Sequence, residues 1–282
     1  MTSSAERPFE VQAHRGGRLF FPENTLQAFC SAADLGFRVV ELDLHVSRDR
    51  RIVVAHDPLL PSGKNLKGSG CSRQRIFSLT YSRIAGYDCG MPHPDFPLQQ
   101  RIAAAPPLLS DVFACVEGHM ADSGSGGEMV YNLEIKSWPQ RDGIFHPPPR
   151  DYAALVLGVV RDAGMLHRVR LQSFDLRVVR EVYRQAPDAA CGLLAEKASS
   201  IRPALRRLGF TPRWLNPHST LATRRLVRQL HARGMRVIPW TVNTPEEASR
   251  LRAIGADGII TDVADGGKSW GRVGERVGDT HD

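Results

Sequence analysis

The chain has 282 residues, 42% of them hydrophobic, which is enough to bury the core of one large domain. Its 37 basic and 30 acidic side chains give a formal net charge of +7, but no block of five like charges occurs, so we expect a basic soluble surface and no nucleic-acid partner. No stretch approaches the roughly 18 consecutive apolar residues of a transmembrane helix, so we expect no membrane span.

The beginning of the chain and its cysteines predict a cellular location. Residues 1–17 contain no basic region followed by an apolar run, so no secretory signal peptide is expected. The five cysteines are odd in number and form no CxxC pair, which favours free thiols in a reducing compartment. We therefore expect a cytoplasmic protein, and the sequence favours no particular oligomeric state.

Short β-rich runs alternate with amphipathic helical patterns along the chain. Most of the eight runs are followed by a helical pattern, which predicts a (β/α)₈ TIM barrel. An open doubly wound sheet is the alternative, but the chain has no GxGxxG motif and the strand count favours closure. The predicted strands are residues 11–14, 37–45, 130–136, 168–174, 190–195, 213–217, 236–242 and 258–261.

The alternation is interrupted between about residues 57 and 111, after a short extra strand at 51–56. This stretch is rich in Pro, Gly, Ser and Arg, and it predicts a small insertion that leaves the C-terminal mouth of the barrel after the second strand. TIM-barrel active sites lie at that mouth, so the insertion is expected to shape the substrate entrance. We expect the barrel domain to span residues 10–265 and the aperiodic tail, 266–282, to be mobile.

An acidic pair lies within the second predicted strand. Glu41 and Asp43 are two residues apart, so their side chains point to the same face, and His56 follows thirteen residues after Asp43. Flanking valines and leucines indicate that this face is buried. Because buried negative charge is costly without a compensating cation, the pair predicts a cationic partner.

Two other strand ends carry residues of the same chemical kind. The third strand places Glu134 and Lys136 on one face, and the first strand ends at His14 and Arg15. Glu134 and Lys136 could also simply pair with each other. Together with the acidic pair and His56, these residues are the parts of a metal-assisted phosphoryl-transfer site.

A series of short motifs occurs in a fixed order between about residues 11 and 263. They are His14-Arg15-Gly16, Pro22-Glu23-Asn24-Thr25, Glu41-x-Asp43, His56-Asp57, Leu133-Glu134-Ile135-Lys136, Gln172-Ser173-Phe174, Trp240-Thr241-Val242-Asn243 and Gly258-Ile259-Ile260-Thr261-Asp262. Each is weak alone, but the ordered set resembles the glycerophosphodiester phosphodiesterase family.

The resemblance implies hydrolysis of a small-molecule glycerophosphodiester to glycerol 3-phosphate and an alcohol, dependent on one divalent cation. It implies that Glu41, Asp43 and Glu134 are the metal ligands. Carboxylate oxygens are hard ligands that suit Mg²⁺ or Ca²⁺, and no set of cysteines or histidines favours zinc.

The resemblance also implies roles for the residues around the metal. His14 and His56 correspond to the general acid–base pair, and Arg15 and Lys136 to phosphate-contacting positions. An imidazole suits proton transfer because its unperturbed pKa is about 6.5. The place of His56 beside the insertion favours it as the acid. Trp240, near a strand end, is interpreted as a substrate-pocket residue, with plain core packing as the alternative.

Two other functions compete with this interpretation. A lysophospholipase D-like activity would act on substrates that keep one acyl chain and would need an apolar surface near the mouth. A non-catalytic phosphate- or headgroup-binding barrel would be expected to have lost at least one histidine or acid, and the chain keeps all of them. The sequence leaves open the alcohol group and whether water or a glycerol hydroxyl is the nucleophile.

Overall fold

The computed structural model describes residues 9–60, 73–124 and 127–263, so the predicted mobile tail lies outside the described residues. Strands form where β-branched and other apolar residues run together, and every predicted strand but one ends within two residues of its predicted bounds. In chain order the strands are β1 (Glu10–Ala13), β2 (Val39–Val46), β3 (Ile52–Val54), β4 (Leu59–Leu60), β5 (Gln74–Arg75), β6 (Val130–Ile135), β7 (Val169–Ser173), β8 (Ala190–Ala195), β9 (Trp214–Pro217), β10 (Arg236–Val237) and β11 (Gly258–Thr261).

Eight of these strands form a nearly closed parallel barrel, which confirms the predicted TIM fold. Their hydrogen-bonded order is β10-β9-β8-β7-β6-β2-β1-β11. Backbone hydrogen bonds then connect the two ends of this path, from Asp257 N to Val237 O and from Ile260 N to Pro239 O, both 2.9 Å. The predicted seven-residue strand at 236–242 is regular over only two residues, because Pro239 has no N–H to continue the ladder.

The helices surround the barrel, and four of the eight described helices begin at a capping side chain. Thr25 and Thr244 accept a hydrogen bond from a backbone N–H of the first turn of their helices, and Pro245 occupies the first helical position of the second. In chain order the helices are α1 (Leu26–Asp34), α2 (Tyr81–Ile84), α3 (Leu109–Asp122), α4 (Pro149–Asp162), α5 (Leu176–Gln185), α6 (Ala198–Leu208), α7 (Arg224–His231) and α8 (Pro245–Ala253). Among the described helices, none combines the length and apolar character needed to cross a bilayer.

The described part of the insertion packs on the barrel with a small apolar core of its own. The predicted extra strand is β3, which pairs antiparallel with β2, and β4 pairs with β5 as a hairpin. Helix α3 begins at Leu109, two residues before the predicted end of the insertion, so the insertion ends with the loop before this helix. The apolar core beneath the insertion consists of Val53, Leu60, Ile76, Leu79, Ile84 and Leu108.

Candidate active site

The three predicted acidic ligands meet at the C-terminal end of two neighbouring strands. Strands β2 and β6 are parallel, and their register places Asp43 directly opposite Glu134. Glu41 lies two residues earlier on the same face of β2. One carboxylate oxygen from each of the three residues lies within 4.8 Å of the other two, and all three side chains are buried.

The three carboxyl groups differ in their electrostatic surroundings. Burial and then the charges of Asp43 and Glu134 raise the pKa of Glu41 well above its ordinary value. Burial would also raise the pKa of Asp43, but the adjacent Lys136 and Arg15 outweigh it and lower that pKa. Glu41 is therefore the carboxylate whose charge is least compensated by the protein.

This donor set fits a divalent cation. Three buried carboxylates supply hard oxygen ligands at mutual distances short enough for one ion, and the raised pKa of Glu41 reflects uncompensated negative charge. The side chains that would hold the ion are Glu41, Asp43 and Glu134.

Lys136 follows β6 and lies against two of these carboxylates. Its Nζ is 2.9 Å from Asp43 Oδ1 and 2.9 Å from Glu134 Oε1. Burial alone would lower the pKa of Lys136, but the two carboxylates raise it above its ordinary value. The ammonium group is therefore charged and held at the edge of the acid cluster.

The turn after β1 presents Arg15 to the same cluster. Arg15 has a left-handed φ of 53°, and Gly16 has a φ of 85° and packs so closely on helix α1 that an added Cβ would lie 2.9 Å from Phe29 Cδ1. The Arg15 N–H donates to Glu41 Oε2 at 3.2 Å. Its guanidinium contacts Glu23 Oε2 at 2.9 Å and Asp43 Oδ2 at 3.2 Å.

His14 is anchored through one of its two ring nitrogens. Its Nδ1 lies 2.7 Å from Asp262 Oδ1, and its Nε2 lies 3.9 Å from Glu41 Oε2. Burial would raise the pKa of Asp262, but the hydrogen bond and charge of His14, with help from Asn243 and Arg18, lower it to about 2. Asp262 is therefore an ionised acceptor, and the sequence motif that contains it gave no indication of this contact.

His56 lines the same cavity as His14 and is the more accessible of the two. Its side chain is 36% exposed, and its Nδ1 is 3.0 Å from Asp57 Oδ1. His45, two residues after Asp43 on β2, is buried, and its Nε2 contacts the backbone oxygen of His56 at 3.1 Å. His45 therefore supports the loop that carries His56.

Aromatic side chains line the opposite side of the mouth. Trp240 and Phe174 are perpendicular to each other with ring centroids 5.6 Å apart, and the ring centroid of His218 lies 5.2 Å from that of Trp240, also at a perpendicular angle. The Trp240 Nε1–H donates to Asn216 O at 2.8 Å. Phe174 and Trp240 line one cavity of about 450 Å³ together with Glu41 and Glu134 of the acid cluster, and Glu196 also contributes to its wall.

All eight predicted site residues thus lie around one cavity or directly beneath it. Thr25 caps helix α1, whereas Asn24 donates from Nδ2 to Asp43 Oδ2 at 2.9 Å and so positions an acid. Sequence reasoning missed the contributions of Asp262, Asn243 and Glu196. Their positions immediately after predicted strands were the available signal, because strand ends meet at the mouth.

The sequence of this chain is similar to that of known proteins. A model of the glycerophosphoryl diester phosphodiesterase family matches residues 14–266. A glycerophosphodiester phosphodiesterase of Caldanaerobacter subterraneus is 29% identical over 252 residues, which cover 89% of this chain and 93% of the relative.

Solved structures show the same fold. The crystal structure of a putative glycerophosphoryl diester phosphodiesterase from Silicibacter pomeroyi superposes with a TM-score of 0.80 at 28% identity, covering 93% of this chain and 92% of the other. A phosphodiesterase from Oleispira antarctica, solved in complex with the product sn-glycerol-3-phosphate, has a TM-score of 0.70 at 21% identity, with 91% and 94% of the two chains covered.

Proposed function

The chain belongs to the glycerophosphoryl diester phosphodiesterase family, as its motifs predicted, and we propose that it hydrolyses glycerophosphodiesters to sn-glycerol 3-phosphate and an alcohol. The observation that carries this proposal is the buried cluster of Glu41, Asp43 and Glu134 beneath a cavity lined by two imidazoles. The product seen in the Oleispira enzyme supports the assignment of glycerol 3-phosphate.

The proposed cofactor is one divalent cation, Mg²⁺ or Ca²⁺, held by the three carboxylates. When bound, such an ion supplies positive charge that polarises a phosphoryl oxygen and stabilises the charge that develops on it. Arg15 and Lys136 add two fixed cationic groups at the same place. Both are oriented by carboxylates within 3.2 Å, so little reorganisation accompanies the reaction.

The two imidazoles divide the proton transfers between them. The proton of the attacking O–H group, from water or from a glycerol hydroxyl, passes to Nε2 of His14, whose Nδ1 is occupied by Asp262. As the attacking oxygen forms its bond to phosphorus, the P–O bond to the alcohol breaks, and the alcohol oxygen takes a proton from His56. Because Asp57 occupies Nδ1 of His56, the proton comes from Nε2 of that ring. Attack by water gives glycerol 3-phosphate directly. Attack by a glycerol hydroxyl gives a cyclic phosphate, which water then opens as its proton passes to His56 and the released glycerol oxygen takes the proton from His14.

The direct test is product analysis by ³¹P NMR over a panel of glycerophosphodiesters, with and without chelator. We expect glycerol 3-phosphate and the free alcohol from at least one member, and no turnover after chelation until Mg²⁺ or Ca²⁺ is restored. Binding without turnover for every member would instead support a non-catalytic headgroup-binding barrel.

A second candidate activity, on lysophospholipids, is favoured by one observation. Large apolar side chains are exposed at the cavity or on the insertion, namely Trp138 and Phe174 at the cavity and Met91 and Leu98 on the insertion. An acyl chain could lie against such a surface. Comparing kcat/KM for lysophosphatidylcholine with that for glycerophosphocholine tests this candidate, and a ratio below about 10⁻³ would exclude it as a main activity.

A further inference from the structure

Two residues outside the predicted site form a fixed hydrogen-bonded arrangement behind His14. Asp262, directly after β11, is 5% exposed, and its two carboxylate oxygens face different partners. Oδ1 lies 2.7 Å from His14 Nδ1, and Oδ2 accepts from Asn243 Nδ2 at 2.9 Å. We propose that Asp262, oriented by Asn243, is a positioning residue that holds His14 in the Nδ1–H tautomer and leaves Nε2 free to accept a proton.

The tautomer follows from the chemistry of the acceptor. An ionised carboxylate can only accept hydrogen bonds, so the ring nitrogen that faces it must carry the hydrogen. The other nitrogen of the neutral ring, Nε2, then has a free lone pair on the side of Glu41, 3.9 Å away. The guanidinium of Arg18 is 3.6 Å from the same Asp262 oxygen, too far for a hydrogen bond that could replace the imidazole.

The orientation of Asn243 is fixed independently of Asp262's side chain. Its Oδ1 accepts from the backbone N–H of Asp262 at 2.9 Å and from Thr261 Oγ1 at 3.3 Å. With its oxygen committed to two donors, the amide must present its NH₂ group to Asp262 Oδ2. The side-chain atom of residue 262 that faces the Asn243 NH₂ group must therefore be a hydrogen-bond acceptor. The other terminal atom of that side chain then faces His14.

This arrangement makes an unusual prediction for an isosteric substitution. In Asp262→Asn, the new amide oxygen is drawn toward the Asn243 NH₂ group, so the new NH₂ group faces His14 Nδ1. Nδ1 must then accept a hydrogen bond, and the ring hydrogen moves to Nε2, where it blocks proton acceptance.

The double variant Asp262→Asn/Asn243→Asp exchanges the carboxylate and the amide between the two positions. The carboxylate at 243 accepts from the amide of residue 262, whose oxygen returns to His14.

The tests are ¹⁵N NMR of the imidazole tautomer and steady-state kinetics, both on the full chain. NMR is recorded on chelator-treated protein at about pH 9, where free imidazole is neutral. We expect the Nδ1–H tautomer in the parent and the Nε2–H tautomer in Asp262→Asn. For that variant kcat should fall about 10²–10⁴-fold, as for loss of a general base, with KM within about threefold. The double variant should regain the parent tautomer and at least about tenfold in kcat.

The inference rests on the proposed role of His14, and the two can fail separately. A parent protein in the Nε2–H tautomer, or an Asp262→Asn variant with unchanged tautomer and kcat, would overturn the positioning role. A double variant that regains the tautomer while His14→Ala keeps full activity would leave Asp262 as a positioning residue and remove His14 from the proton transfer.

Discussion

The mouth of the barrel has two sides that are built differently. The acidic side, carried by β1, β2 and β6, consists of His14, Arg15, Glu41, Asp43, Glu134 and Lys136. The aromatic side, carried by the ends of β7, β8, β9 and β10, consists of Phe174, Glu196, His218 and Trp240. On the acidic side every carboxylate is buried and contacted by at least one other charged or polar group, whereas Phe174 is 42% exposed.

This difference indicates that the two sides have different functions, charge stabilisation on the acidic side and substrate recognition on the aromatic side. Stabilising the charges of a transition state requires groups that are fixed before the reaction, as the carboxylate-held Arg15 and Lys136 are. Recognition of a substrate group by ring faces tolerates small displacements, because dispersion and ring contacts are less directional. Substitutions on the acidic side should therefore change kcat, and those on the aromatic side should change KM.

The largest effect is expected from removing the least compensated carboxylate. Glu41→Gln keeps the shape of the side chain but removes a charge from the proposed metal site, so bound metal should be lost and kcat/KM should fall by roughly 10³ or more. Metal content by elemental analysis and turnover on glycerophosphocholine are the measurements. Glu181→Gln, an exchange on α5 where Glu181 pairs with Arg184, is the matched control and should change neither.

In the metal-free protein, substitutions of Glu41 and Asp43 should have opposite effects on the melting temperature. The raised pKa of Glu41 shows that its charge is destabilising there, so Glu41→Gln should raise the melting temperature of the chelated protein by about 2–4 °C. Asp43→Asn should lower it, since Lys136 and Arg15 would lose a partner. Equal shifts in both variants would show that the two acids share one environment.

The next largest effect is expected at the two imidazoles. Replacing His14 or His56 with Ala should reduce kcat about 10²–10⁴-fold with much smaller changes in KM, because the phosphoryl group is held by other residues. On a p-nitrophenyl diester, whose leaving group needs little protonation, His56→Ala should recover most of its rate and His14→Ala should not. His119→Ala, which also removes an imidazole bonded to a carboxylate, is the control.

Recovery of His14→Ala instead of His56→Ala on the activated substrate would exchange the acid and base assignments. Near-parental turnover of both variants on an unactivated substrate would remove proton transfer by these imidazoles altogether. In that case the fixed charges of the acidic side would carry the whole rate enhancement.

The acidic side could be predicted from sequence, and the support behind it could not. Strand parity places Glu41 and Asp43 on one face, and this follows from their spacing of two residues within one strand. The contact between His14 and Asp262 joins residues 248 positions apart and arises only when β1 and β11 become neighbours. The position of Asp262 after a strand could have placed it at the mouth, but no local pattern encodes its pairing with His14, and the same is true of the pairing between Asn24 and Asp43.

The aromatic side should respond to substitution through binding. Trp240→Ala removes the indole that packs against Phe174 and His218, and an aromatic contact contributes about 0.5–1.5 kcal/mol, so KM should rise about 2- to 12-fold while kcat stays within about threefold. Tyr183→Ala removes an exposed aromatic residue that stacks on Phe210 away from the mouth and is the control. A fall in kcat as large as that of the histidine variants would show that Trp240 orders the acidic side.

The smallest effect on chemistry is expected from the insertion. Removal of the whole segment 62–96 would delete Ile76, Leu79 and Ile84 from the apolar core of the insertion and so would test stability. Replacing only residues 61–72 with a short glycine-containing turn is a sharper test of function, because the flanking strands β4 and β5 already pair as a hairpin.

The proposed catalytic residues all lie on the barrel or its immediate loops, so kcat/KM of this replacement variant for a small activated diester should stay within about threefold of the parent value. The ratio of kcat/KM between glycerophosphodiesters with large and small alcohol groups should change more than that. An equal loss of kcat/KM for every substrate would show that the insertion supports the acidic side of the mouth. Substrate recognition and the chemical step would then not depend on separate parts of the mouth.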